Sequence, residues 1–147
     1  MNSYKPFFRR RAVIPALGAV AILLAAGTAT ASPQQSLLAG YAATAKTEAA
    51  GFAGFSADRG RTLFLSSPAT GKPETPSCTS CHGKDPSAGG QTRAGKAIEP
   101  MALSRTPGRY SELKKTEKWF RRNCKSVLGR VCTSLEKGDF LTFMFSQ

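Results

Sequence analysis

Cys78-Thr79-Ser80-Cys81-His82 is the segment of this sequence whose residue types and spacing carry the clearest chemistry. On a helical turn, residues i and i+3 share a face. Two thiols placed there can add to the two vinyl groups on one edge of a porphyrin. His82 follows directly, lies beneath the iron and offers its imidazole as the proximal ligand. Other uses of the pair fit less well. A thioredoxin-like dithiol needs a βαβ setting, which the chain lacks. A four-thiolate zinc site would take Cys124 and Cys132 as its second pair, but seven residues separate them, where such sites use two to four. The pattern predicts one covalently attached haem c, held by Cys78, Cys81 and His82.

His82 is the only histidine in 147 residues, so this chain cannot supply two imidazoles to one iron. The candidates for the sixth position are Met101, Met144, Asn123, a lysine, or no residue at all. Met144 falls among apolar residues of a final helix and reads as core. Met101 follows Pro100 in a loop that could bring its thioether to the iron. Asn123 falls in the segment before the last helix, read as a loop over 123–133, where single-haem cytochromes usually place this ligand. Local sequence leaves Met101 and Asn123 both open.

The elements around these residues are short helices. An apolar stripe of Leu37, Leu38, Tyr41 and Ala45 predicts a helix over 34–50, with Pro33 at its start. Ser56 is a candidate cap for a second helix that buries Ala57, Gly60, Leu63 and Phe64. These residues are expected to cross the Phe140-to-Met144 stretch at one haem edge. A helix is predicted over 111–122 with Leu113, Thr116, Trp119 and Phe120 inward, and a last one over 134–146 behind a Thr133/Glu136 capping box. Residues 66–77 and 84–107, rich in Gly, Pro and Ser, read as loops. No strand with alternating polarity stands out. The expected fold class is all-α, with short helices and long loops wrapped around one haem, which supplies the core that so small a chain lacks.

The amino terminus has a different character. Met1 to Arg11 holds four basic residues and no acid. Ala12 to Ala26 is apolar but interrupted by Pro15, and Ala29-Thr30-Ala31 offers small residues before Ser32. That order is a secretory signal peptide, and the apolar run is short of the roughly 20 residues that span a bilayer. The expected division is a cleaved leader over 1–31 and one mono-haem domain over 32–147 in the periplasm. An uncleaved membrane anchor is the alternative. Because haem is joined after translocation, the general secretory route for unfolded chains is expected. Without the leader, 17 Lys and Arg remain against 9 Asp and Glu, a net charge of +8. Such a chain favours acidic partners. Export argues against nucleic acid as the partner. Lys114, Lys115, Lys118, Arg121, Arg122, Lys125 and Arg130 crowd one segment, with Glu117 among them. They form either a solvated helix face or a docking patch for an acidic redox partner.

Longer stretches carry a family resemblance. They are Leu37-Leu-Ala-Gly-Tyr41, Asp58-Arg-Gly-Arg-Thr-Leu-Phe-Leu65, Gly71-Lys-Pro-Glu-Thr-Pro-Ser-Cys-Thr-Ser-Cys-His-Gly83, Gly90-Gln-Thr-Arg-Ala-Gly-Lys96 and Glu117-Lys-Trp-Phe-Arg-Arg-Asn-Cys124, continuing through Ser126-Val-Leu-Gly-Arg130 to Cys132. The chain resembles the sphaeroides haem protein family, an oxygen-binding group of class I cytochromes c. The resemblance implies a class I cytochrome c-like fold. It implies Asn123 as the sixth ligand when the iron is oxidised, released on reduction so that O2 or NO can bind. It implies a Cys124–Cys132 disulfide, and a di-haem cytochrome c or a membrane b-type cytochrome as partner. Met101 departs from the family pattern and keeps a second reading open: a plain electron carrier with His82/Met101 ligation and no gas binding. A third reading, reduction of O2 or NO as an enzyme, finds no acid–base pair or second metal site in the sequence.

Overall fold

The computed structural model describes residues 1–2 and 30–147; the leader read over 1–31 falls almost wholly outside them. Five helices and one minimal ladder follow in order: α1 (Pro33–Glu48), α2 (Ala57–Leu65), α3 (Thr79–His82), β1 (Gly90–Gln91), β2 (Ala97–Ile98), α4 (Leu113–Leu128) and α5 (Ser134–Phe145). Among the described residues, no helix is long and apolar enough to cross a membrane. The all-α expectation holds, with long connections as predicted.

Local signals account for most helix ends. Ser32 and Gln35 form a reciprocal capping box at the start of α1, with Pro33 in the first turn. Leu37, Tyr41 and Ala45 are its buried stripe. The Ser56 hydroxyl accepts from the Arg59 N–H and caps α2. Thr133 and Glu136 form a second capping box at α5. That helix start is also held from outside: the Glu48 carboxylate at the end of α1 accepts from the Ser134 N–H and hydroxyl, both at 2.9 Å.

Two expectations need correction. α4 does not stop at residue 122 but runs to Leu128, where Gly129 takes a left-handed conformation (φ +70°) and ends it. Asn123 is therefore on a helix, not in a loop. The inner face of α4 is Thr116, Phe120, Cys124 and Val127. Leu113 and Trp119 point outward, at 61% and 47% exposure. The physical reason is one of register: once the helix extends to Leu128, the stripe through Phe120, Cys124 and Val127 outweighs Trp119, which lies at its margin. The loop over 84–107 also contains structure that its polarity hid. β1 and β2 pair antiparallel with Gly90 opposite Ile98, too short a run to show alternation.

The core has two apolar clusters. Leu37, Tyr41, Phe120, Cys124, Cys132 and Leu141 form one. Phe64, Met101, Phe143 and Met144 form the other, with Cys78 packed against it. They meet where α2 crosses α5, as predicted from Gly60, Leu63, Phe64 and the Phe140-to-Met144 stretch. At the crossing Gly60 has no room for a side chain: a Cβ would run into the Asp139 carbonyl and the Phe143 Cβ.

Beside it lies a paired charge. The Asp139 carboxylate is buried, at 4% exposure, and accepts from Arg59 Nε at 2.7 Å, Arg59 Nη2 at 2.8 Å and the Ser56 N–H at 2.7 Å. This hydrogen-bonded carboxylate raises the Arg59 pKa above its usual value, against an opposing burial effect. Arg59→Ala would leave Asp139 buried with a single donor. Removing one partner of a fully buried pair costs about 3–5 kcal/mol. The Arg59 side chain is 52% exposed, so water screens part of the interaction and we expect about 2 kcal/mol. Denaturant titration of the two single variants and of Arg59→Ala/Asp139→Ala checks this. The double variant should recover part of the Arg59→Ala loss; simple addition of the two single losses would contradict the pairing.

Candidate functional site

Four residues, Thr79–His82, wind the single turn of α3, and Gly83 leaves it at φ +68°. That turn sets Cys78 and Cys81 on one face, both as free thiols and both partly buried. Burial raises the Cys78 thiol to a pKa of about 11. The turn is backed closely by β1. A Cβ on Gly90 would meet the Cys81 carbonyl and the His82 Cα, so glycine lets the hairpin lie flat against the backbone behind the ring.

His82 Nδ1 is buried with no hydrogen-bond partner among the described residues. Burial, with a smaller contribution from the Arg109 charge, lowers the His82 pKa and favours the neutral imidazole. A neutral imidazole can ligate a metal through one of its ring nitrogens. Its neighbour, the segment around residue 101, is fixed to the chain just beyond His82. The N–H groups of Met101 and Ala102 both donate to the Pro86 carbonyl, at 2.8 and 2.9 Å. Arg109 Nε donates to the Pro100 carbonyl at 2.6 Å, and the Tyr110 hydroxyl to the Met101 carbonyl at 2.9 Å. Met101 itself is 7% exposed, packed with Phe64, Phe143 and Met144. Met144 is fully buried in the same cluster.

Asn123 is exposed on α4, and its side-chain amide has no hydrogen-bond partner among the described residues. The loop leading into Cys78 is tied to the same end of that helix. The Lys72 N–H donates to the Ser126 carbonyl at 2.7 Å. Thr75 Oγ1 lies 2.7 Å from Ser126 Oγ, and Thr70 Oγ1 donates to the Leu128 carbonyl at 3.1 Å. Gly71 is pressed against the backbone of Ser126 and Val127, leaving no space for a Cβ. Thr75 and Ser126 thus hold together two segments, one ending in Cys78 and one carrying Asn123.

Cys124 and Cys132 form a disulfide, as the family resemblance implied. With Asn123 on a helix, the bond fastens the last turn of α4 to the chain entering α5. A loop of this size closed by a disulfide contributes about 2–3 kcal/mol on chain-entropy grounds.

Sequence reasoning missed the Thr75–Ser126 tether and the Pro86 carbonyl that gathers Met101 and Ala102. Neither has a local signal, since both join segments distant in sequence through small polar groups or backbone. The residues present fit a covalent haem: an i, i+3 pair of free thiols, an imidazole lacking a partner beside them, and a glycine backing the turn.

Comparison with known proteins agrees with this. A family model described as "Domain of unknown function (DUF1924)" matches residues 50–144. The cytochrome c-type protein SHP of Cereibacter sphaeroides is 53% identical over 116 residues, which cover 79% of this chain and 84% of that one. Cytochrome c'' of Methylophilus methylotrophus is 31% identical over 71 residues, about half of each chain (48% and 49%). The structure of oxidised SHP, described as an oxygen-binding cytochrome c, superposes with a TM-score of 0.72 at 50% identity, covering 81% of this chain and all of that one (100%). The crystal structure of oxidised cytochrome c'' superposes at 0.66 and 24% identity, covering 78% and 94% of the two chains, and shares the fold. From the CxxCH turn, the paired cysteines beyond Asn123 and this degree of identity, the chain belongs to the sphaeroides haem protein (SHP) family of c-type cytochromes.

Proposed function

We propose that the chain is an exported mono-haem electron-transfer protein that binds O2 or NO when reduced, with Asn123 as a ligand that comes and goes. Cys78 and Cys81 would hold the haem by thioether bonds and His82 would ligate the iron from one face. Bound there, haem supplies one-electron exchange and, where the sixth position is vacant, a ferrous site for a diatomic gas.

The observation that carries the choice of Asn123 over Met101 is which side chain the protein leaves free. Met101 is 7% exposed and packed among Phe64, Phe143 and Met144, and its backbone is tied through the Pro86 carbonyl. Asn123 is exposed on α4, and its amide is unclaimed by the protein among the described residues. An amide oxygen is a hard, weak donor that suits ferric better than ferrous iron. Asn123 is therefore expected to hold on oxidation and let go on reduction. The tether at Ser126 and the disulfide at Cys124 keep its helix in place, so the amide returns to the same point. The SHP structure described as an oxygen-binding cytochrome c supports the gas-binding part of this reading. The basic leader, its apolar run and the small residues before Ser32 support the periplasm as its location. The resemblance to the family supports a di-haem cytochrome c or a membrane b-type cytochrome as the source of electrons.

Absorption spectra of the ferrous protein before and after addition of CO test the proposal. A spectrum that changes to the CO form within mixing time, without denaturant, is expected. A low-spin ferrous spectrum indifferent to CO would remove gas binding and favour the plain His82/Met101 carrier.

A further inference from the structure

We infer that the loop entering the haem-attachment turn is also the C-terminal cap of α4, and that through Thr75 it sets how tightly Asn123 holds ferric iron. The inference rests on Asn123 as the oxidised-state ligand and adds a positioning residue to that site.

The last carbonyls of a helix have no partner within it. At the end of α4, the 70–75 segment supplies donors to two of them. The Lys72 N–H donates to the Ser126 carbonyl at 2.7 Å, and the Thr70 hydroxyl to the Leu128 carbonyl at 3.1 Å. Thr75 Oγ1 also donates to the Ser126 carbonyl, at 3.3 Å, and lies 2.7 Å from the Ser126 hydroxyl oxygen. Two glycines let the backbones touch. A Cβ on Gly71 would meet the Ser126 carbonyl, and one on Gly129 the Thr70 carbonyl. A contact made by backbone on both sides leaves little freedom for the helix end to shift.

Both ways out of this contact are short and stiff. From Thr75 the chain reaches Cys78, the first thioether position, in three residues, and Pro76 fixes a backbone angle on the way. From Ser126 back to Asn123 is one turn of helix, about 4.5 Å along its axis. The thiol that would anchor the haem edge and the amide that would ligate its iron are thus joined through one pair of hydroxyls. The Cys124–Cys132 bond ties α4 to the chain entering α5, whereas Thr75 ties it to the strand that carries Cys78.

An amide oxygen is a weak donor and has little binding energy with which to draw a misplaced helix toward the iron. Its ligation therefore depends on the helix being held at the right distance beforehand. Removing the Thr75 hydroxyl should relax that distance and weaken the ferric complex. The reduced form, which the amide has left, should be unaffected.

Imidazole titration of the oxidised holoprotein, followed by absorbance, tests this, since imidazole must displace Asn123. Thr75→Val keeps the size of the side chain and removes its hydroxyl. It should raise the affinity for imidazole about three-fold or more and increase the high-spin fraction of the ferric spectrum, with ferrous CO binding at the wild-type rate. Ser126→Ala should do the same. Thr75→Ser, which restores the hydroxyl, should return the wild-type values. In an Asn123→Ala background, Thr75→Val should have no further effect. Thr133→Ala is the control for lost stability: it removes the α5 cap and should lower the melting temperature without moving the imidazole affinity. A lower melting temperature in Thr75→Val with wild-type imidazole affinity would make the contact purely structural and overturn the inference. So would an imidazole effect of equal size with and without Asn123. An Asn123→Ala protein with the wild-type ferric spectrum and imidazole affinity would instead refute Asn123 ligation, on which the inference rests.

Discussion

Alanine in place of Asn123 is expected to turn the oxidised protein high-spin while leaving the ferrous spectrum as it was. On the proposed function, the amide would serve one oxidation state only. If Asn123 supplies the sixth donor to ferric iron and leaves on reduction, its deletion changes the oxidised form alone. The reduced form, already open, has nothing to lose. Fold effects should be small. Asn123 is exposed in the interior of α4, and alanine there gains roughly 0.5 kcal/mol of helix propensity. A spectral change without loss of thermal stability therefore separates a ligand role from a structural one. Met101→Leu is the companion. Met101 is buried among Phe64, Phe143 and Met144, so a similar-volume apolar replacement should cost less than about 1.5 kcal/mol and leave both spectra in place. The reverse pattern, with Met101→Leu altering the ferric spectrum and Asn123→Ala silent, would assign the ligand to Met101.

Gly60→Val should produce a large loss of stability. A Cβ at this position meets the Asp139 carbonyl and the Phe143 Cβ, so α2 and α5 would have to separate. Both helices are also held at this point by Arg59 and Asp139, so the separation would strain that pair as well. Overpacking of a close-packed contact costs typically 1–3 kcal/mol. With a branched side chain and a disturbed ion pair we expect about 3 kcal/mol or more, read from the denaturation midpoint of the holoprotein. Gly40→Ala is the contrasting case. It lies in α1, with open space where its Cβ would be, and should stabilise by up to about 1 kcal/mol. Similar midpoints for the two variants would show that the crossing is looser than described.

Much of this architecture was legible from local pattern. The caps at Ser32, Ser56 and Thr133, the stripe through Leu37, Tyr41 and Ala45, and the meeting of Gly60 and Phe64 with Phe143 and Met144 follow from spacing and side-chain chemistry. The CxxCH turn was legible for the same reason, since its chemistry is wholly local. What local pattern misjudged was the length of α4. Arg121, Arg122 and Asn123 look like the end of a helix, but the burial of Cys124 and Val127 against the core carries the helix on to Gly129. That error displaced Trp119 inward and Asn123 into a loop. The walls of the site were illegible altogether. The backbone of Met101 is held by the Pro86 carbonyl, and the tie between Thr75 and Ser126 joins residues with no shared period.

The central claim is that Cys78 and Cys81 hold one haem covalently. Intact-mass measurement of the protein purified from a host with cytochrome c maturation, followed by a pyridine haemochrome assay, tests it most directly. The account predicts the mass of the polypeptide plus one haem, a c-type haemochrome, and loss of the added mass in Cys78→Ser/Cys81→Ser. The bare polypeptide mass, or haem that acid–acetone extracts from the protein, would contradict it.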